Sequence, residues 1–189
     1  MNTKQRILNA AIELLSHDAS ARIEAIAEAA SVSRMTLHRY FSSREVLIEA
    51  ASMEALVFAG RMIDAAIEAH TDPLDQLEAI VKGAAMMGGR FNFIVLDQEI
   101  FEREPLKPHI NALEAKICVI LDALRADGRL KPGFANPWIV CLIDGVLTSA
   151  FNVHRRGTVA PSEIPDLVWR SLVEGAFAPV SRMAERATA

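Results

Sequence analysis

Between Ser33 and Arg44 the chain places Arg34, Thr36, His38, Arg39, Tyr40 and Arg44 with no acid among them. Hydroxyls, imidazole and guanidinium groups of this kind donate to phosphate oxygens, and an arginine can also bond guanine through two parallel hydrogen bonds. On a helical wheel with Leu37 at the origin, Phe41 falls beside it. Met35 and Arg39 land opposite, flanked by His38 and Thr36. One face is apolar and the other is cationic, which suits a short helix laid in the major groove of DNA.

Such a helix needs a support. Upstream, Ile23, Ile26, Ala27 and Ala30 recur at helical spacing, so a helix over 20–30 can pack on Leu37 and Phe41, and Ser31-Val32-Ser33 makes the turn between the two. This is the layout of a helix-turn-helix, whose second helix meets base edges with its first residues. Ser33 can cap the reading helix, and Ser42-Ser43-Arg44-Glu45 fits a capping box opening the next one. Helix starts of this kind also receive phosphates. A basic, capped helix is equally common as a plain solvated face, so the residues alone leave both readings open.

The stretch Ile26-Ala27-Glu28-Ala29-Ala30-Ser31-Val32-Ser33, followed by Thr36-Leu37-His38-Arg39-Tyr40-Phe41-Ser42-Ser43-Arg44-Glu45, resembles the N-terminal signature of the tetracycline-repressor (TetR) family. The resemblance covers about the first fifty residues and implies a DNA-binding regulator. It implies that Thr36, His38 and Tyr40 contact phosphates, with His38 in place of the more usual tyrosine. It also sets Arg44 where a lysine commonly stands. Ser31 replaces the usual turn glycine, Met35 replaces a small residue, and the connection before Ser20 lacks a Gly-aromatic pair. These departures bear on the operator sequence. The wheel assigns Met35 and Arg39 to base reading, methionine by apolar contact such as a thymine methyl. Arg34, Thr36, His38, Tyr40 and Arg44 are assigned to phosphates, the capping Ser33 completes the set, and Arg22 is a further phosphate contact or plain surface.

The rest of the chain also reads as helix, giving an all-α protein of about nine helices. A helix over 3–17 completes the three-helix reader, and residues 1–45 form the DNA-binding domain. Residues 46–189 form a helical effector-binding and dimerisation domain. It holds a long helix over 43–69, one opened by Asp72-Pro73, segments over 90–102 and 107–126, and two last helices opened near Asn136-Pro137 and Pro165.

The chain has 189 residues, 51% hydrophobic and 23% charged, enough for one sizeable core and a small appended domain. No apolar run reaches the roughly 20 residues of a membrane span, so a cytoplasmic protein is expected. The net charge of −4 is carried after residue 50, because the first fifty residues hold six basic and six acidic side chains. Cys118 and Cys141 read as free thiols, and the five histidines lack ligand spacing, so neither a metal nor a cofactor is expected. No Gly-x-Ser-x-Gly, P-loop or dinucleotide motif is present, which argues against an enzyme.

One short helix touches few bases, so a homodimer reading a near-palindrome is expected, paired through the last two helices. Met86, Met87, Phe91, Phe93, Phe101, Trp138 and Phe151 offer soft and aromatic surface for an apolar or amphipathic effector, with Asp97, Asn152 and His154 as polar contacts. Plain core is the competing reading of those positions. The expected function is a repressor released from its operator by a small molecule. The alternatives are a ligand-dependent activator and a helical interaction module that binds no operator.

Overall fold

A computed structural model describes residues 2–18, 20–87 and 103–174. The described residues form eight helices and no strand. They are α1 (Thr3–His17), α2 (Ile23–Ala29), α3 (Arg34–Tyr40), α4 (Arg44–Ala69), α5 (Pro73–Met86), α6 (Lys107–Ala126), α7 (Asn136–Arg156) and α8 (Ile164–Val173). The segment expected over 90–102 lies outside the described residues.

The starts follow side-chain chemistry. Asn2 accepts from the Gln5 amide at 2.9 Å, Ser33 from Thr36 at 3.1 Å, Ser43 from Val46 at 3.3 Å and Asp72 from Leu74 at 2.6 Å. The capping box read from Ser42 is displaced by one residue, because Ser43 is the cap. The Ser43 hydroxyl also bonds the Glu45 carboxylate, which with the helix start holds that carboxyl below its ordinary range. α2 begins later than position 20. Asp18 accepts from both the amide and the hydroxyl of Ser20, and this local turn competes with a helical one.

Two ends close in the same way on different residues. After α6 the Gly128 amide reaches the Arg125 carbonyl and the Arg129 amide reaches Leu124, with Gly128 at φ +69°. After α2 the Ser31 amide reaches Glu28 and the Val32 amide reaches Ala27, and Ser31 takes φ +52° without being glycine.

Packing sorts the helices into two apolar clusters. The first gathers Ile7, Leu8, Ala11, Ile12 and Leu15 of α1 with Ile26 of α2, Leu37 of α3 and Phe41, over Leu47 to Leu56 of α4. It also takes in Leu106 and Ile110 at the start of α6, so the core beneath the reader continues past residue 45. The second joins the far end of α4, through Ile63 and Ala66, to α5, α6, α7 and α8. α4 therefore serves both cores with one continuous backbone.

Two ion pairs fasten the second cluster. Arg129 holds both oxygens of Asp72 at 2.8 Å, and Lys82 of α5 meets Asp166 of α8 at 2.6 Å. By length and composition α7 is the one described helix that could cross a membrane, a span that the run of sequence did not announce. It carries Asp144 midway and packs against α5, α6 and α8.

Candidate nucleic-acid interface and ligand cavity

The two faces of α3 separate cleanly. Leu37 and Phe41 are fully buried under the reader, while Met35 is 81% exposed at the opposite side. Arg39 is exposed too, its guanidinium over the Tyr40 ring at 5.5 Å from the centroid, which holds the cation at the surface without neutralising it. His38 is exposed between them.

The remaining expected contacts ring that face under different restraints. The Thr36 hydroxyl lies 2.9 Å from Ser33 Oγ, so both hydroxyls belong to the capped start of α3. Arg34 pairs with Glu24 of α2 at 2.9 Å. Both partners are more than half exposed, so the pair contributes only about 0 to 1 kcal/mol and can open to a phosphate. Arg22 is exposed immediately ahead of α2, whose start it occupies without a side-chain cap. Arg44, half-buried, reaches back to the Ala21 carbonyl at 3.5 Å, which places it at the joint between reader and α4.

Arg6 was absent from the residue-based expectations. It donates to the carbonyl oxygens of Ala30 at 2.7 Å and Ser31 at 2.9 Å, closing the end of α2 and the turn that aims α3. An arginine on the first helix gives no local signal of a partner 25 residues away.

Above the reader, α4, α5, α6 and α7 line a cavity of about 220 Å³ that opens to solvent. Of the residues assigned to an effector pocket, Met87 and Phe151 line it. Met86 does not: it is 74% exposed, since one residue of helix turns it about 100° away from its neighbour. Asn152 bonds the Thr148 carbonyl at 3.1 Å, and Trp138 and His154 are exposed, so all three stand off the lining. Phe91, Phe93, Asp97 and Phe101 lie outside the described residues.

Among the lining residues that were missed are two acids, Glu114 and Asp144. Each breaks an apolar stripe at helical spacing, and that interruption was the available signal. Partial burial of the carboxyl, and then the neighbouring Glu114, push Asp144 up to about 6, although the residue as a whole is exposed at the rim of the cavity.

The outer faces of α7 and α8 are narrower than the sequence suggests. Ile139, Ile143, Ala150 and Val168 are buried within the chain, leaving Trp138, Leu142, Leu167 and Val173 exposed.

A capped, cationic helix packed on its neighbours and joined by a long helix to a cavity-bearing bundle is the layout of a helix-turn-helix regulator. Residues 7–51 match the family of bacterial regulatory proteins, tetR family. Residues 7–51 thus resemble the N-terminal domain of tetR-family regulators. The chain is 23% identical over 174 residues to the HTH-type transcriptional repressor LfrR of Mycolicibacterium smegmatis, covering 92% of this chain and 89% of that one. LfrR solved in complex with proflavine superposes with a TM-score of 0.73 at 22% identity, covering 94% and 98% of the two chains. The regulator FadR of Bacillus subtilis in complex with stearoyl-CoA gives 0.67 at 17% identity, covering 92% and 99%. At these identities the structural likeness concerns the fold.

Proposed function

We propose that the protein is a cytoplasmic repressor that binds a near-palindromic operator as a homodimer and leaves it when a small apolar or amphipathic molecule enters the cavity. In this reading residues 1–45 read DNA, with Met35 and Arg39 on bases and Arg22, Ser33, Arg34, Thr36, His38, Tyr40 and Arg44 on the backbone. Residues 46–189 bind the effector and the partner subunit. Trp138, Leu142, Leu167 and Val173 supply the apolar face that pairs the last two helices, and two readers about 34 to 36 Å apart meet successive major grooves.

One observation carries the coupling. Ala55, Leu56 and Ile110 belong to the core beneath the reader and also line the cavity. A ligand that fits only a widened cavity must shift α4 against α6, and those same side chains seat the reader. Differential affinity for the widened state would then separate the two readers from their half-sites. Proflavine in LfrR and stearoyl-CoA in FadR both present a sizeable apolar body, which supports an effector of that character here.

Selection of bound sequences from random duplex DNA, followed by affinity across a salt series and sedimentation of the free protein, tests the proposal. The expected result is a dimer and a near-palindromic winner bound at least ~10³-fold more tightly than scrambled DNA, with affinity falling as salt rises. A monomer in solution with no palindrome enriched would reject it.

A further inference from the structure

The two arginines of α3 are held in different ways before any DNA arrives. Arg34, in the first turn, gives a guanidinium N–H to the Glu24 carboxylate at 2.9 Å, and a phosphate must displace that acid to reach it. Arg39, in the last turn, lies over the Tyr40 ring at 5.5 Å from the centroid, and among the described residues no carboxylate pairs with it. A ring face attracts the cation without occupying its N–H donors as a carboxylate does. The donors that match the two acceptors of a guanine therefore stay available while the side chain is held.

The ring is itself well placed to hold something. Tyr40 is the last residue of α3, yet it is only 40% exposed, so most of its surface rests on the protein. Leu37 and Phe41 beside it are fully buried, and the Phe41 amide bonds the Leu37 carbonyl at 2.9 Å, which fixes the backbone from which the ring projects. A tyrosine side chain also has fewer rotatable torsions than an arginine, so the ring is the stiffer member of the pair and restricts the other.

Taking Arg39 as the base reader of the proposed function, we propose that Tyr40 is the positioning residue that makes it selective: the ring aims the guanidinium at a base edge, while the hydroxyl separately meets a phosphate. Restricting Arg39 beforehand lowers the entropy lost when the base contact forms. That gain is realised only where the base offers matching acceptors, so the ring raises discrimination between bases. A phosphate contact from the hydroxyl instead raises affinity for every sequence.

Affinities of the full chain for its selected operator, for operators substituted one base pair at a time and for scrambled DNA test this assignment in wild type, Arg39→Ala, Tyr40→Phe and Tyr40→Leu. Arg39→Ala marks the base pair that Arg39 reads, by abolishing the preference there. Tyr40→Phe weakens all duplexes alike and keeps that preference. Tyr40→Leu weakens scrambled DNA as much as Tyr40→Phe does, which certifies a folded reader, and cuts the preference at the marked base pair by about two- to fivefold. In the free protein, the Arg39 side-chain proton resonances are shifted by the ring current in wild type and Tyr40→Phe, and return to ordinary positions in Tyr40→Leu. A preference that survives Tyr40→Leu intact, or one that Tyr40→Phe abolishes, overturns the role of the ring and leaves Arg39 as reader. Unshifted Arg39 resonances in the wild type overturn it as well, whether or not Tyr40→Leu folds. An Arg39→Ala variant with every base preference intact overturns base reading by Arg39 and this proposal with it.

Discussion

The Arg6 guanidinium donates to the Ser31 carbonyl at 2.9 Å, tying the first helix to the one residue outside glycine that the described backbone holds at positive φ, +52°. The turn that aims α3 thus rests on a strained serine and a remote cation that satisfies its carbonyl and that of Ala30. Ser31→Gly removes the strain and should stabilise the protein by about 0.5 to 1 kcal/mol. Arg6→Ala removes two charged hydrogen bonds at a helix end and should cost about 1 to 2 kcal/mol. Urea denaturation of both variants checks the pair. A destabilised Ser31→Gly would mean that the hydroxyl, and not the backbone, matters at this position.

Arg39 and Arg44 should fail differently on DNA. Arg39 stands on the outward face of α3, whereas Arg44 sits half-buried at the joint with α4 and reaches the Ala21 carbonyl. Arg39→Ala should cost about 1 to 3 kcal/mol on the selected operator and relax base preference at one position. Arg44→Ala should weaken operator and random DNA alike and flatten the salt dependence. Affinities of both variants on operator, point-substituted operator and scrambled DNA decide the matter, and equal losses on all three for both would end the division of labour.

Local chemistry was legible in the chain and remote chemistry was not. The opposed faces of α3 follow from a period of 3.6 residues applied to Met35, Leu37, Arg39 and Phe41. The Asp72-Pro73 start of α5 follows from capping within a few residues. Arg6 gave no such sign, because its partners are brought to it by the fold. Met86 and Met87 looked equivalent until the helix was placed against its neighbours. Glu114 and Asp144 carried a signal, an acid beside apolar residues at helical spacing, but apolar and aromatic residues drew the expectation of a pocket instead.

Ser52 of α4 is fully buried under the reader, and its hydroxyl has no hydrogen-bond partner. An unpaired hydroxyl in an apolar cluster costs free energy, and serine is a weaker helix former than alanine. Ser52→Ala should therefore raise stability by about 0.5 to 1.5 kcal/mol with little change in packing. Thermal unfolding of the variant at neutral pH measures the gain. A loss of stability would show that the hydroxyl is satisfied in solution.

Asp144 should make stability depend on pH in an unusual direction. Its carboxyl titrates near 6 in the fold against 3.8 ordinarily, so between those values the folded chain holds a proton that the unfolded chain has released. The folded state binds more protons there, and the contribution of this group to stability falls as pH rises through the window. Below about pH 4 both states are protonated and the effect vanishes, while above about pH 6 it is fully unfavourable. Asp144→Asn, which cannot ionise, should therefore unfold at a higher temperature than the wild type at pH 7.5, with the gap closing as pH falls to 4. Glu114→Gln should reproduce part of the gain, since Glu114 supplies the second, smaller push on the Asp144 carboxyl. A gap between wild type and Asp144→Asn that stays constant from pH 4 to 7.5 would show that Asp144 titrates at its ordinary value, its carboxylate already solvated or paired in solution.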